Sequence, residues 1–181
     1  MSVRRRILMD LRHYARIENA PLNLPFALKM FFLTGGFQFV LCRRIQEALL
    51  AVPVVGRPIR RIFWWMTNMT FGAEIALGAK ISGGLYMPHP YGLVIGVCEI
   101  GENVTVLHNV TVGAKSRDER GLPIIEDNVF LSAGCAIIGG PRIGQGATIG
   151  ANAVVLKDIP AGAVAAGVPA KIIGQNEVTR S

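Results

Sequence analysis

Residues 125–155 read IEDNVFLSAGCAIIGGPRIGQGATIGANAVV, and their aliphatic residues Ile125, Leu131, Ile137, Ile143, Ile149 and Val155 stand six apart. Ser or Gly follows Leu131, Ile143 and Ile149, and a small or β-branched residue usually comes four positions on. A triangular coil has these needs. Each side is a short strand with one aliphatic residue pointing into a narrow prism. Each corner is a tight turn that small residues allow. Three hexads close one coil, so equivalent residues stack on their neighbours, and stability is shared along the stack as in any solenoid.

The same spacing runs upstream. Ile75, Ile81, Met87 and Leu93 are six apart, and after a one-residue slip so are Val94, Ile100, Val106 and Val112. The segment GAKSRDERGLPI (113–124) is charged and non-periodic, and is expected to leave the prism as one extruded loop. Such loops on rigid scaffolds often carry function. The repeat therefore predicts a mainly β protein, a parallel β-helix.

Before residue 71 the pattern is helical. Gln38 to Ala51 places Phe39, Leu41, Cys42, Ile45, Ala48 and Leu49 on one face. Pro53 and Pro58 bound the next piece, and Arg60 to Met69 reads as a short helix. The expected organisation is a helical region over 1–70, the β-helix over 71–173 and a tail over 174–181.

The net charge of +7 has a local origin. Arg4, Arg5, Arg6, Arg12 and Arg16, then Arg43, Arg44, Arg57, Arg60 and Arg61, all precede residue 62. A solvated helix face is the expectation for them. No stacking platform accompanies the charge, so nucleic acid is not expected as a partner. The three cysteines, Cys42, Cys98 and Cys135, are widely spaced, with no Cys/His cluster. That suggests a reduced, cytoplasmic protein without a metal site. No apolar run follows the first arginines, so no signal peptide is expected. Residues 26–42 are the most apolar stretch, but Lys29 and Gly35-Gly36 interrupt them. They fall short of a spanning helix and are expected at a subunit interface or a membrane surface.

Three segments resemble the hexapeptide-repeat acyltransferases, and serine acetyltransferases in particular. KISGGLYMPHPYGLVIG (80–96) resembles their catalytic coil. IGENVTVLHNVTVG (100–113) resembles the stretch before their extruded loop, and IGANAVVLKDIPAGAVAAGVPAKII (149–173) their closing acetyl-CoA signature. The resemblance implies a left-handed parallel β-helix, acetyl-CoA as cosubstrate, no metal and a homotrimer.

It also implies site residues. His89 matches the catalytic His. An imidazole titrates near neutral pH and can take the proton of an attacking hydroxyl. Glu74 falls where the family places the carboxylate that orients that His. His108 and Arg120 are candidates for positioning the acceptor. Gly113, Ala133 and Ala151 match positions along the pantetheine arm. Lys157 and Lys171 match basic positions facing the nucleotide phosphates.

Two matches fail. Pro88 stands where serine acetyltransferases carry an Asp, and Gly121-Leu122-Pro123 replaces their Arg-His-Pro run. A free amino acid needs charged partners at both its carboxylate and its ammonium. The expected acceptor is therefore a hydroxyl of a sugar, as in surface-polysaccharide acetyltransferases of the colanic acid type. Serine is the alternative, and a non-catalytic scaffold a more distant one. The basic, apolar start of the chain is compatible with peripheral contact at the inner membrane face.

Overall fold

The computed structural model describes residues 1–115 and 121–176. Fourteen short strands form three sheets, the faces of a prism. The first face stacks β1 (Glu74–Ile75), β3 (Val94–Ile95), β6 (Thr111–Gly113), β9 (Ala136–Ile138) and β12 (Val154–Val155). The second stacks β2 (Lys80–Ile81), β4 (Glu99–Ile100), β7 (Ile124–Ile125) and β10 (Arg142–Ile143). The third stacks β5 (Thr105–Val106), β8 (Phe130–Leu131), β11 (Thr148–Ile149) and β13 (Ala163–Ala166). All these pairings are parallel. The antiparallel β14 (Lys171–Gln175) closes the third face, so regular structure continues two residues past position 173.

The core follows the hexad. Ile75, Ile81, Met87, Ile100, Val106, Val112 and Ile125 all point inward, as do the later members of the repeat. The residue two positions earlier is buried as well, as in Val129/Leu131, Cys135/Ile137 and Ala153/Val155. That is the period-two alternation of a strand. Burial pushes the Cys98 and Cys135 thiols up to about 12, so both behave as small core hydrophobes.

The upstream slip has a different form from the expected one. Val94 is 49% exposed, and Ile95 is the buried residue in register with Ile75. The slip combines two changes: eight residues separate Met87 from Ile95, and five separate Ile95 from Ile100. The corner after Met87 is therefore longer than a hexad allows. Met87 lies five residues before the left-handed Gly92, whereas Val106, Leu131 and Ile149 each lie three before left-handed Asn109, Gly134 and Asn152. The corner bearing His89 thus carries two extra residues.

The helical region comprises α1 (Val3–Ile17), α2 (Leu24–Leu33), α3 (Gly35–Ala48), a 3-10 turn (Leu49–Ala51) and α4 (Gly56–Phe71). The last helix starts earlier than expected because Pro58 falls in its first turn, where no backbone donor is needed.

These helices cap the open lower edge of the prism. The first coil has no coil beneath it, so its outward backbone groups need other partners. Trp64 Nε1 donates to Ile75 O at 2.8 Å, Arg60 to Leu77 O at 2.6 Å, and Arg43 to Ala76 O at 3.2 Å and to Ala79 O. Arg44 donates to Ile81 O at 3.1 Å and to Ser82 O. His13 hydrogen-bonds Gly84 O, and Asp10 accepts the Leu85 N–H at 2.9 Å. The expectation of a solvated basic face is corrected for Arg43 and Arg44, which are 3% and 0% exposed. A guanidinium offers several fixed donors, and a row of unpaired carbonyls is what it satisfies. Burial works against the Arg44 charge, but the hydrogen bonds to Asp10 and the charges of Asp10 and Glu47 outweigh it and raise its pKa.

Candidate active site

His89 sits in the lengthened corner between the third and first faces, flanked by Pro88 and the buried Pro90. The corner rests on the helical cap. The Tyr14 hydroxyl donates to Met87 O at 3.0 Å and accepts from Met87 N at 3.1 Å. Gly36, in the first turn of α3, packs so closely that a Cβ there would overlap Met87 O and lie 2.8 Å from Pro88 O. Tyr14 is buried against Phe37 and Tyr86. The segment before His89 is therefore fixed from below by residues of two helices.

His108 occupies the same corner one coil higher, and its ring centroid lies 6.4 Å from that of His89 at an interplanar angle of 68°. Both residues are exposed. The space between two imidazoles at this separation can take a hydroxyl group. The corner backbones are locked together: Asn109 N donates to Tyr91 O at 2.9 Å, and Gly134 N donates to His108 O at 3.0 Å. Ala133 and Ala151 continue the column upward, with Asn152 N donating to Ala133 O at 2.9 Å. Four of the anticipated residues, His89, His108, Ala133 and Ala151, thus line one edge of the prism.

Gly113, Lys157 and Glu74 lie elsewhere on this chain. Gly113 ends β6, the middle strand of the first face, and its carbonyl accepts from Gly139 N at 2.9 Å. The neighbouring groove, about 440 Å³, is lined by Lys115, Gly121, Gly139, Gly140 and Lys157. It opens at the next corner of the prism. Lys171, exposed at the start of β14, pairs with Ala166 and so stands above the Ala133–Ala151 edge. Glu74 is exposed on the lowest strand of the first face, its N–H donated to Leu93 O at 2.8 Å. Among the described residues its carboxylate makes no hydrogen bond to His89. Arg120 lies outside the described residues. No group of three or more His, Cys, Asp or Glu side chains placed to hold a metal occurs among the described residues. A larger cleft, about 720 Å³, runs between the helical cap and the second face past Arg6, Arg43 and Arg60, and contains neither His89 nor His108.

Sequence reasoning did not find Tyr14, Gly36 or the capping arginines. Their partners are carbonyls of a distant coil, which no local pattern encodes. Asp10 and Arg44, each set among apolar residues at helical spacing, are the nearest thing to a signal.

No family model matches the chain. A serine acetyltransferase of Bacillus licheniformis is 35% identical over 153 residues, covering 82% of this chain and 69% of the relative. The structure of serine acetyltransferase in complex with coenzyme A from Brucella abortus superposes with a TM-score of 0.83 at 28% identity, covering 95% of this chain and 68% of that one. A Neisseria gonorrhoeae serine acetyltransferase in complex with serine gives 0.81 at 26%, covering 95% and 69%. These relatives bear the name of the amino-acid enzymes, and the expectation of a polysaccharide acceptor gains no support from them. The chain belongs to the serine acetyltransferase family and is an acyltransferase whose cosubstrate is acetyl-CoA.

Proposed function

We propose that the chain is a serine O-acetyltransferase, with His89 as the base. The observation that carries the reading is the lengthened corner that presents His89 opposite His108 at 6.4 Å. The likeness to serine acetyltransferases supports serine as the acceptor. In the proposed step the imidazole of His89 takes the proton of the serine hydroxyl as its oxygen attacks the thioester carbonyl. The tetrahedral intermediate collapses with cleavage of the carbon–sulfur bond, and the imidazolium returns the proton to the departing CoA thiolate. In this reading His108 holds the acceptor. Glu74 is the proposed orienting carboxylate. Such hydrogen bonds commonly tighten only in the substrate complex, and Glu74→Gln with unchanged kcat would remove that role.

The acetyl-CoA residues occupy two edges of one prism, which suits a site completed by a neighbouring copy. The Ala133–Ala151 column of one subunit, with Lys171 above it, would face Gly113 and Lys157 of the next, in a homotrimer of left-handed coils. The outer face of α4, with its N-cap, supports association: the cap residue Val55 and the helix residues Ile59, Ile62, Met66 and Met69 are all exposed, at alternating spacings of four and three. That is the seam pattern of helices that pack together. Light scattering giving a monomer mass would remove the trimer.

A second reading, a sugar hydroxyl as acceptor, is favoured by one feature. Pro88, Pro90 and Tyr91 beside His89, and Leu122 in the loop, offer no charge to a zwitterion. CoA release measured with L-serine and, separately, with sugars and lipid-linked glycans decides between them. Saturable release with serine supports the first reading, and release on a glycan alone supports the second.

A further inference from the structure

We propose that α2 and the exposed side of α1 dock on an anionic lipid surface, with the elbow between α2 and α3 as the inserted tip. The sequence LPFALKMFFL of α2 is apolar on both sides. Phe26 and Met30 are buried in the cluster with Tyr14 and Phe37. The opposite side is uncovered: Leu24, Leu28, Phe32 and Leu33 are 71%, 49%, 71% and 81% exposed. A helix that is apolar all round is normally covered all round. At its end the chain bends by 83° into α3, so Phe32 and Leu33 stand at a protruding corner.

Charge selects the occupant. Eleven Lys and Arg residues against three Asp and Glu precede residue 72, and the rest of the chain carries eight against nine. The positive excess is therefore confined to the helical cap. On α1, Arg4, Arg5, Arg12 and Arg16 are exposed. Asp10 is buried on Arg44 at 2.8 Å, and Glu18 pairs with Lys29 of α2 at 2.7 Å, so those two cancel and the exposed α1 arginines remain in excess. A second copy on this surface would meet it with charge of the same sign. A bilayer bearing anionic headgroups matches both the apolar tip and the basic surround. No single helix among the described residues is long and apolar enough to cross a membrane, so the contact is interfacial. Gly36, three residues past Leu33, lies against the Met87 and Pro88 carbonyls. Docking would therefore hold the His89 corner close to the lipid surface. The inference stands apart from the identity of the acceptor.

Flotation of the full chain with vesicles tests it. Vesicles of phosphatidylcholine containing phosphatidylglycerol are expected to carry the protein, vesicles of phosphatidylcholine alone to carry little, and raised salt to release it. Phe32→Ser with Leu33→Ser, and separately Arg12→Gln with Arg16→Gln, are each expected to weaken binding by about tenfold or more. All four side chains are exposed, and thermal melts of the variants check the fold. Absence of flotation with the anionic vesicles overturns the inference. So does a Phe32/Leu33 variant that binds vesicles as before but shifts to a smaller species in light scattering, because a second copy would then be what covers the face.

Discussion

The hydroxyl of Tyr14 serves both backbone groups of Met87, donating to its carbonyl at 3.0 Å and accepting its N–H at 3.1 Å. Met87 is two residues before His89, at the entrance to the lengthened corner. A side chain from the first helix thus supplies the pairing that a coil beneath would have given. Burial raises the Tyr14 pKa well above the ordinary phenol value, so the hydroxyl keeps its proton and can donate.

Tyr14→Phe leaves a buried N–H and carbonyl without partners. The expected cost is about 1–3 kcal/mol of stability, read by urea unfolding. A fall in kcat at a temperature where the variant is folded is expected as well, because the strand leading to His89 loses its anchor.

Gly36→Ala drives a methyl into the Met87 carbonyl, which is backbone and cannot rotate away. A loss of about 1–3 kcal/mol is expected, with reduced turnover. Gly35→Ala, one residue earlier, has no atom within 4 Å of the added carbon and is the matched control. Equal effects of the two substitutions in melts and turnover would contradict the role given to Gly36.

Arg44→Met removes one partner of a buried ion pair and the donors to Ile81 O and Ser82 O. The expected destabilisation is about 3–5 kcal/mol. Chemical denaturation of Arg44→Met, Asp10→Asn and the double variant should show strong coupling between the two sites.

His13 is buried and hydrogen-bonded to Gly84 O, with Asp10, Arg16 and Tyr86 nearby. Burial chiefly, with help from the Arg16 charge, lowers its pKa below 6.5 despite the opposing effect of the Gly84 carbonyl and Asp10. The unfolded chain therefore takes up a proton before the folded one does. The contribution of neutral His13 is complete above pH 6.5 and is lost as pH falls through the lower folded value. Thermal melts should decline on acidification below pH 6.5, and less steeply in His13→Gln.

The prism was legible in the sequence because each hexad records its own side of the triangle. Ile125 through Val155 point inward as their spacing requires. The upstream slip was visible, but the hexad favoured Val94, six residues before Ile100, where strand pairing selects Ile95, which stands off the six-residue spacing because the corner before it is lengthened. His89 and His108 were legible through resemblance. The cap was not legible. Arg43, Arg44, Arg60 and Trp64 sit in ordinary helical patterns, and the carbonyls they serve belong to residues 75–82.

The most direct test measures CoA release from acetyl-CoA with saturating L-serine for the parent chain, His89→Asn and His108→Asn, alongside acetyl-CoA binding by calorimetry. Release should be saturable in serine for the parent. In His89→Asn it should fall by about 100-fold or more with acetyl-CoA binding retained, and in His108→Asn the main change should be in the KM for serine. Undiminished release by His89→Asn, or no serine-dependent release by the parent, would contradict serine acetylation at the His89 corner.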